Sequence, residues 1–412
     1  MSMKITKTVL FSYGIFGFPL ALVALPIYVM VPQLYVNLGL SLTTVGLSLL
    51  LARIVDAFID PYLGNLMDEN KFKINYAQFI LISVPFLLIG YPALFHPPNF
   101  LKNFLFYWFL FSLTIVYLGF SIATIAHNSW GANLTKKKEL RSQLTGSREY
   151  FSIIGVIFAS GLPYIFSQIH LTACFIIFLI FGVIAILTQT PKPNLINTSK
   201  KNTKLIYPFT KNNFKLLCLI YSINGIAASI PATLFLFFVA DHLRLPEYSG
   251  LFLIMYFLSA ALFLPLWVKI AKISSEAKSW LFAMLLAIFT FIWALFLNSG
   301  DLVPFSVICI FSGAALGADL ALPPAILAGI IYQAGDSNKK EGSYFGLWSW
   351  ITKINLALAA GITLPLLELM GYLPGNPTQQ GNHALLIGYA LIPCLLKLLA
   401  AFLLWRSPLK FL

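Results

Sequence analysis

Charge is what this chain has least of. Only 10% of its 412 residues are Asp, Glu, Lys or Arg, while 59% are hydrophobic; a soluble domain carries roughly 25% charged residues. A protein of this make-up could not cover a fully water-exposed surface with polar groups. Histidine is scarce, five in all, and no two are spaced as metal ligands. The four cysteines (Cys174, Cys218, Cys309 and Cys394) lie in apolar segments without paired spacing. They read as small buried residues, which excludes a disulfide framework or a metal centre. No Gly-x-x-x-x-Gly-Lys-Ser/Thr run is present to cradle a phosphate, so nothing points to ATP. No Ser/His/Asp or metal-ligand cluster stands out, which places a lipid-modifying membrane enzyme last among the function classes. The net charge of +13 comes from basic residues scattered over short loops. That scatter argues against nucleic acid as a partner.

What is present instead is a series of apolar runs, each long enough to cross a hydrocarbon core of about 30 Å. Twelve spans are predicted, at 9–33, 40–66, 76–95, 103–134, 147–167, 170–190, 214–240, 249–270, 279–298, 302–332, 343–371 and 384–405. Lys4 and Lys7 precede an apolar run that continues past Pro26 to Tyr35 without a small-residue cleavage site, so it reads as a first span rather than a signal peptide. One set of loops holds nearly all the basic residues, including Lys71, Lys136–Lys138, Arg141, Lys200, Lys339 and Arg406; the opposite set holds Lys102 and Arg244. The asymmetry predicts that both termini are cytoplasmic, in a bacterial-type inner membrane. The expected fold class is an all-α integral membrane protein of twelve transmembrane helices in two six-helix bundles. The partners are the lipid bilayer and a small-molecule solute, and a monomer is expected.

The segment 191–213 is polar and rich in Lys and Asn, and reads as a linker between a bundle at 1–190 and another at 214–412. The halves echo each other as parallel repeats do. Gly46 and Pro61 match Gly250 and Pro265; Gly119 and Gly131 match Gly317 and Gly329; Tyr13 and Gly17 match Tyr221 and Gly225. On this register Asp56 and Asp60 fall opposite Ala260 and Leu264, so only the first half carries the carboxylates.

Those carboxylates are the most informative residues. A charge at mid-membrane depth costs on the order of 2.5–3.5 kcal/mol on insertion scales, and intramembrane acids mark functional sites. Arg53, Asp56 and Asp60 are spaced i, i+3, i+7 and share one helix face. Pro61 has no N–H to give the carbonyl of Ala57, which leaves a further oxygen beside the acids. Two carboxylates and a loose carbonyl suit sodium or a proton. A buried Arg53–Asp56 pair that merely fixes helix packing is the bland alternative, and Asp60 is the charge it leaves unexplained.

Three segments resemble a known family. Leu51-Ala-Arg-Ile-Val-Asp-Ala-Phe-Ile-Asp-Pro-Tyr-Leu-Gly64, Ala126-His-Asn-Ser-Trp-Gly-Ala-Asn-Leu-Thr135 with Arg141 and Arg148, and Glu341-Gly-Ser-Tyr-Phe-Gly-Leu-Trp348 with Lys353 stand in order along the chain. They are similar to the glycoside–pentoside–hexuronide:cation symporters, the melibiose-carrier branch of the major facilitator superfamily. The resemblance implies two bundles around a central cavity, alternating access, and no cofactor beyond a coupling sodium ion or proton. It implies that Asp56 and Asp60 hold that cation, sodium included, with Arg53 and Lys353 beside them, and that Arg148 lies near the solute. Trp130, His127, Tyr13 and Asp319 complete the expected solute-facing set. Asp319 is open between pairing with a cation and an interfacial position. Asp68, Glu149, Arg141 and Glu341 read either as loop charges or as ion pairs that lock the inward face.

The departures are equally specific. The helix-one polar pair of the sugar carriers falls on Phe18-Pro19, and their helix-four aspartate on Ala126. With Lys353, Arg148 and His127 retained, the cavity is expected to favour an organic anion such as a polycarboxylate or carboxylate siderophore. A sugar:cation symporter and a proton-antiport exporter are the alternatives.

Overall fold

The computed structural model describes residues 6–68, 74–98, 104–134, 138–165, 168–191, 207–336 and 341–411. Only the backbone is described for 61–62, 64–68, 132–133, 138–143, 145, 162–165, 168, 272, 341–343 and 410–411. The described regular structure is helical: α1 (Lys7–Ile15), α2 (Gly17–Asn37), α3 (Leu42–Asp68), α4 (Tyr76–Phe95), α5 (Leu105–Leu134), α6 (Lys138–Ile165), α7 (Gln168–Gln189), α8 (Asn212–Phe237), α9 (Ser249–Ile273), α10 (Glu276–Phe291), α11 (Leu302–Gln333), α12 (Glu341–Leu369), α13 (Gln379–Leu386) and α14 (Ile392–Arg406). α1 with α2 makes one membrane-length stretch, and α13 with α14 another. Among the described residues eleven stretches are long and apolar enough to span. α6 is the twelfth long helix. It begins at Lys138, well before the predicted 147, because a helix closes its own backbone bonds whether or not its first turns are apolar.

Helix starts follow local chemistry. Asn75 accepts from the Gln78 N–H at 2.9 Å while Gln78 accepts from the Asn75 N–H at 2.8 Å, a reciprocal cap for α4. Prolines interrupt α2, α4, α8, α9, α11 and α12 without ending them, as membrane helices tolerate when neighbours absorb the freed carbonyls. α3 likewise runs through position 61 to Asp68.

The chain divides into two compact units, Met1–Leu40 with Leu51–Lys200, and Ser41–Leu50 with Lys201–Leu412. The start of α3 belongs to the second unit because Gly46 lies against Ala360 and Pro365, and Leu50 against Gly361. In addition, Glu368 Oε2 accepts from the Thr43 N–H at 2.6 Å. Of the predicted linker, residues 192–206 lie outside the described residues.

In the first unit α4 and α5 meet where Gly90 faces Ile115 and Val116, and Gly119 faces Phe86 and Leu87. Tyr35 stacks on Phe109 at 4.0 Å and donates to the Leu94 carbonyl at 2.9 Å. In the second unit α9 and α11 pack backbone to backbone at Gly313 and Gly317, against Tyr256 and Ala260. Trp267 Nε1 donates to Ala314 O at 2.7 Å and Ser259 Oγ to Ile310 O at 2.6 Å across the same seam. Small residues allow this close approach, which is what holds helices together where lipid removes the hydrophobic drive. Gly329, by contrast, has no atom within 4 Å of the Cβ it lacks.

Gly313→Val should therefore lower the stability of the purified protein by about 1–3 kcal/mol, because the new side chain meets the Tyr256 backbone. Gly329→Ala should leave it nearly unchanged. Thermal unfolding in detergent followed by tryptophan fluorescence checks both, and equal effects would contradict the seam.

Candidate functional site

In the first unit the sequence-predicted face of α3 carries a buried ionic cluster. Arg53 Nη1 lies 2.7 Å from Asp56 Oδ2, with side-chain exposures of 4% and 2%. Ser121 on α5 donates its hydroxyl to Asp56 Oδ1 at 2.5 Å. The Arg53 guanidinium also lies over the Tyr117 ring at 4.1 Å and the Tyr28 ring at 5.0 Å. Aromatic faces steady a buried cation by about 2 kcal/mol or more when water is excluded. Asp60, one turn further on, is half-buried. Arg53 and Asp56 compensate each other's charge, and Asp60 is a second acid on the same helix face. Two carboxylates and one hydroxyl form a hard-oxygen set for sodium or a proton. Among the described residues no group of three or more His, Cys, Asp and Glu could hold a metal.

Ser121 was not singled out by sequence reasoning, although a signal existed. It stands two residues after Gly119, as Asp319 stands two after Gly317, so the repeat places a polar group at this level in both halves.

A second cluster joins α1, α5 and α6. Tyr13 donates its hydroxyl to the His127 carbonyl at 3.2 Å, and His127 Nε2 lies 2.8 Å from the Tyr13 carbonyl. The His127 ring is fully buried between Tyr13 and Phe16. Arg148 bonds Asn128 Oδ1, and its Nη2 lies 2.5 Å from Glu149 Oε1. Glu149 thus balances Arg148 on the same helix. Trp130 is fully buried, its indole N–H given to the Pro191 carbonyl at 2.9 Å. Trp130 and His127 are therefore packed inside the unit: the Trp130 indole N–H and His127 Nε2 meet backbone carbonyls, while His127 Nδ1 is buried without a hydrogen-bond partner. Phe18 is packed between Phe158 and Phe178.

In the second unit Asp319 pairs with a cation of its own unit. Its Oδ2 lies 2.8 Å from Lys397 Nζ, and its Oδ1 accepts from Trp280 Nε1 at 2.7 Å and Asn224 Nδ2 at 3.0 Å. Lys397 also donates to Asn224 Oδ1 at 2.7 Å. Four helices, α8, α10, α11 and α14, are tied by one pair of charges. Lys397 went unassigned in the sequence, yet a lysine inside the apolar 384–405 run was signal enough. Lys353 is half-buried on α12, where Trp348 stacks on Tyr221 at 3.7 Å and Tyr221 and Thr352 share a hydrogen bond of 2.9 Å. The side chains of Asp68, Arg141 and Glu341 lie outside the described residues.

The family of MFS/sugar transport proteins matches residues 10–410, and the chain belongs to it. It is a multi-pass membrane transporter of the major facilitator fold and not an enzyme. No curated protein matches it in sequence. Among solved structures it is similar to a D-xylose-proton symporter, with TM-score 0.72, 13% identity and coverage of 98% of this chain and 97% of that one. It is also similar to the nucleoside transporter NupG, with TM-score 0.65, 15% identity and coverage of 98% and 100%. A bacterial homologue of the human lysosomal transporter Spinster, inward-facing and unoccupied, superimposes with TM-score 0.61 at 15% identity, covering 99% and 97%. At such identities the likeness speaks for the fold.

Asp319→Asn should destabilise the protein by about 3–5 kcal/mol, because it strands the Lys397 charge in a buried position. The double variant Asp319→Asn with Lys397→Met should regain most of that loss in thermal unfolding. A double variant as unstable as the single one would show that the carboxylate acts through something other than this pair.

Proposed function

We propose that the chain is a cation-coupled symporter that moves a small, neutral, polyhydroxylated solute of the sugar kind, with sodium or a proton bound at Asp56 and Asp60. The observation that carries the coupling is the buried Arg53–Asp56–Ser121 cluster with Asp60 one turn away. A carboxylate in a dry interior gains much when a small cation meets it and loses much when it leaves, which links ion movement to conformational change.

The expectation of an organic anion rested on positive charge at Arg148 and Lys353. Glu149 balances Arg148 locally, which removes much of that argument. The family's description favours the sugar reading, and the printed substrates of similar folds, D-xylose and nucleosides, are neutral polar solutes. The apolar surroundings of Phe18 and Ala126 argue against the melibiose-type acid ligands. The hydroxyls of this solute are then met elsewhere.

Asp60→Asn is expected to abolish gradient-driven accumulation in vesicles while insertion and folding persist, since one carboxylate fewer leaves a desolvated cation uncompensated. Asp56→Asn should impair sodium coupling more than proton coupling. Uptake driven by imposed sodium or proton gradients reads both, and robust accumulation by the double variant would remove the coupling assignment.

The basic-residue asymmetry supports cytoplasmic termini and a cytoplasmic 191–213 linker. In a cysteine-free background Thr198→Cys should resist an impermeant maleimide applied to intact cells and react after lysis. Labelling from outside would invert the topology.

A further inference from the structure

Asn355 on α12 is 97% buried, at 3% exposure, and its Nδ2 has no hydrogen-bond partner. The amide is pressed against α8 at Gly225, where a Cβ would collide with Nδ2. A buried, unmet donor costs a folded protein free energy, and native chains keep few of them. It persists where function requires the group in another state.

Its position suggests which function. Tyr13 and Gly17 in the first half match Tyr221 and Gly225 in the second. In the first unit the missing Cβ of Gly17 faces Arg148 and Ser152 on α6; in the second that of Gly225 faces Asn355 on α12. In both units a polar side chain thus meets the matched glycine, Ser152 Oγ at Gly17 and Asn355 Nδ2 at Gly225. The same seam carries the Tyr221–Thr352 hydrogen bond and the Tyr221–Trp348 stack one to two turns along. Amide donor, hydroxyls and aromatic faces are the groups that grip a polyhydroxylated solute.

We propose that the α8–α12 seam is a solute subsite in which Asn355 Nδ2 donates to an oxygen of the solute once the seam opens during transport, with Gly225 giving the closed seam its fit. The proposal deepens the symporter reading and rests on it for the identity of the solute, a sugar hydroxyl being the expected acceptor.

The test combines three readouts. Asn355→Leu removes the unmet donor at similar volume, so the purified variant should melt ~2–4 °C higher than the parent while its KM for solute rises at least about tenfold. A lower melting temperature, or higher stability with unchanged KM, would overturn the subsite. Asn355→Cys in a cysteine-free background should react with N-ethylmaleimide in vesicles, more slowly with saturating solute. Reaction only after denaturation would mean the seam never opens, which also overturns it. Melibiose, D-xylose and citrate serve as probes. Uptake of citrate alone would end the sugar reading, yet the same variants would still judge the subsite, since a carboxylate oxygen accepts the same hydrogen bond. If no probe is taken up, melting and labelling decide it.

Discussion

An ionised side chain inside a low-dielectric bundle must find its counter-charge, and the rest of this structure is arranged around that requirement. In the first unit Asp56 receives Arg53 and the Ser121 hydroxyl, and Arg53 is further covered by Tyr117 and Tyr28. In the second unit Asp319 receives Lys397, Trp280 and Asn224. Both solutions neutralise the charge and occupy the carboxylate oxygens. Their difference is the second acid. The Asp319 cluster holds one acid and one base with bridging donors, whereas the Asp56 cluster has Asp60 added on the same helix face. Under the proposed function that second acid is what lets the first cluster respond to a cation, while the second cluster ties its helices together.

Closely packed glycines make such clusters geometrically feasible. Gly313 and Gly317 bring α11 onto the backbone of α9, and Gly90 and Gly119 bring α4 and α5 together. Because helix association in lipid depends on contact rather than on expulsion of water, these seams also fix where polar side chains can reach one another. Asp319 stands two residues past Gly317, and Ser121 two past Gly119, so each polar group follows a point of close approach.

Much of this was legible in the chain itself. Apolar run length announced the helices, since a bilayer permits few other spanning structures, and the spacing of Arg53, Asp56 and Asp60 announced a common face that the structure presents. What could not be read was which side chains are consumed by their neighbours. A sequence does not show that Pro191 lends its carbonyl to the Trp130 indole, or Tyr13 its carbonyl to His127 Nε2. Arg148 looked like an unbalanced cation because adjacent residues on a helix rarely face each other, yet Glu149 folds back onto it. Lys397 was overlooked for the opposite reason: its apolar flanks hid a charge whose partners lie on two other helices.

The contrast between repeats carries the argument one step further. Gene-like halves begin with the same backbone and diverge where their tasks diverge, so a polar residue present in one half and absent from its match is informative without any homologue. Asp56 and Asp60 fall opposite Ala260 and Leu264, so under the proposed function the cation is met by acids that the second half lacks at the matching positions. Phe18 and Ala126, apolar and packed, withdraw the first unit from gripping hydroxyls in the manner of melibiose carriers. An amide donor that is stranded beside Gly225 in the second unit then has a reason to be there under the proposed function. On that proposal ion coupling and solute recognition draw on different halves of one repeat, and the unmet donor of Asn355 is the observation that supports the division.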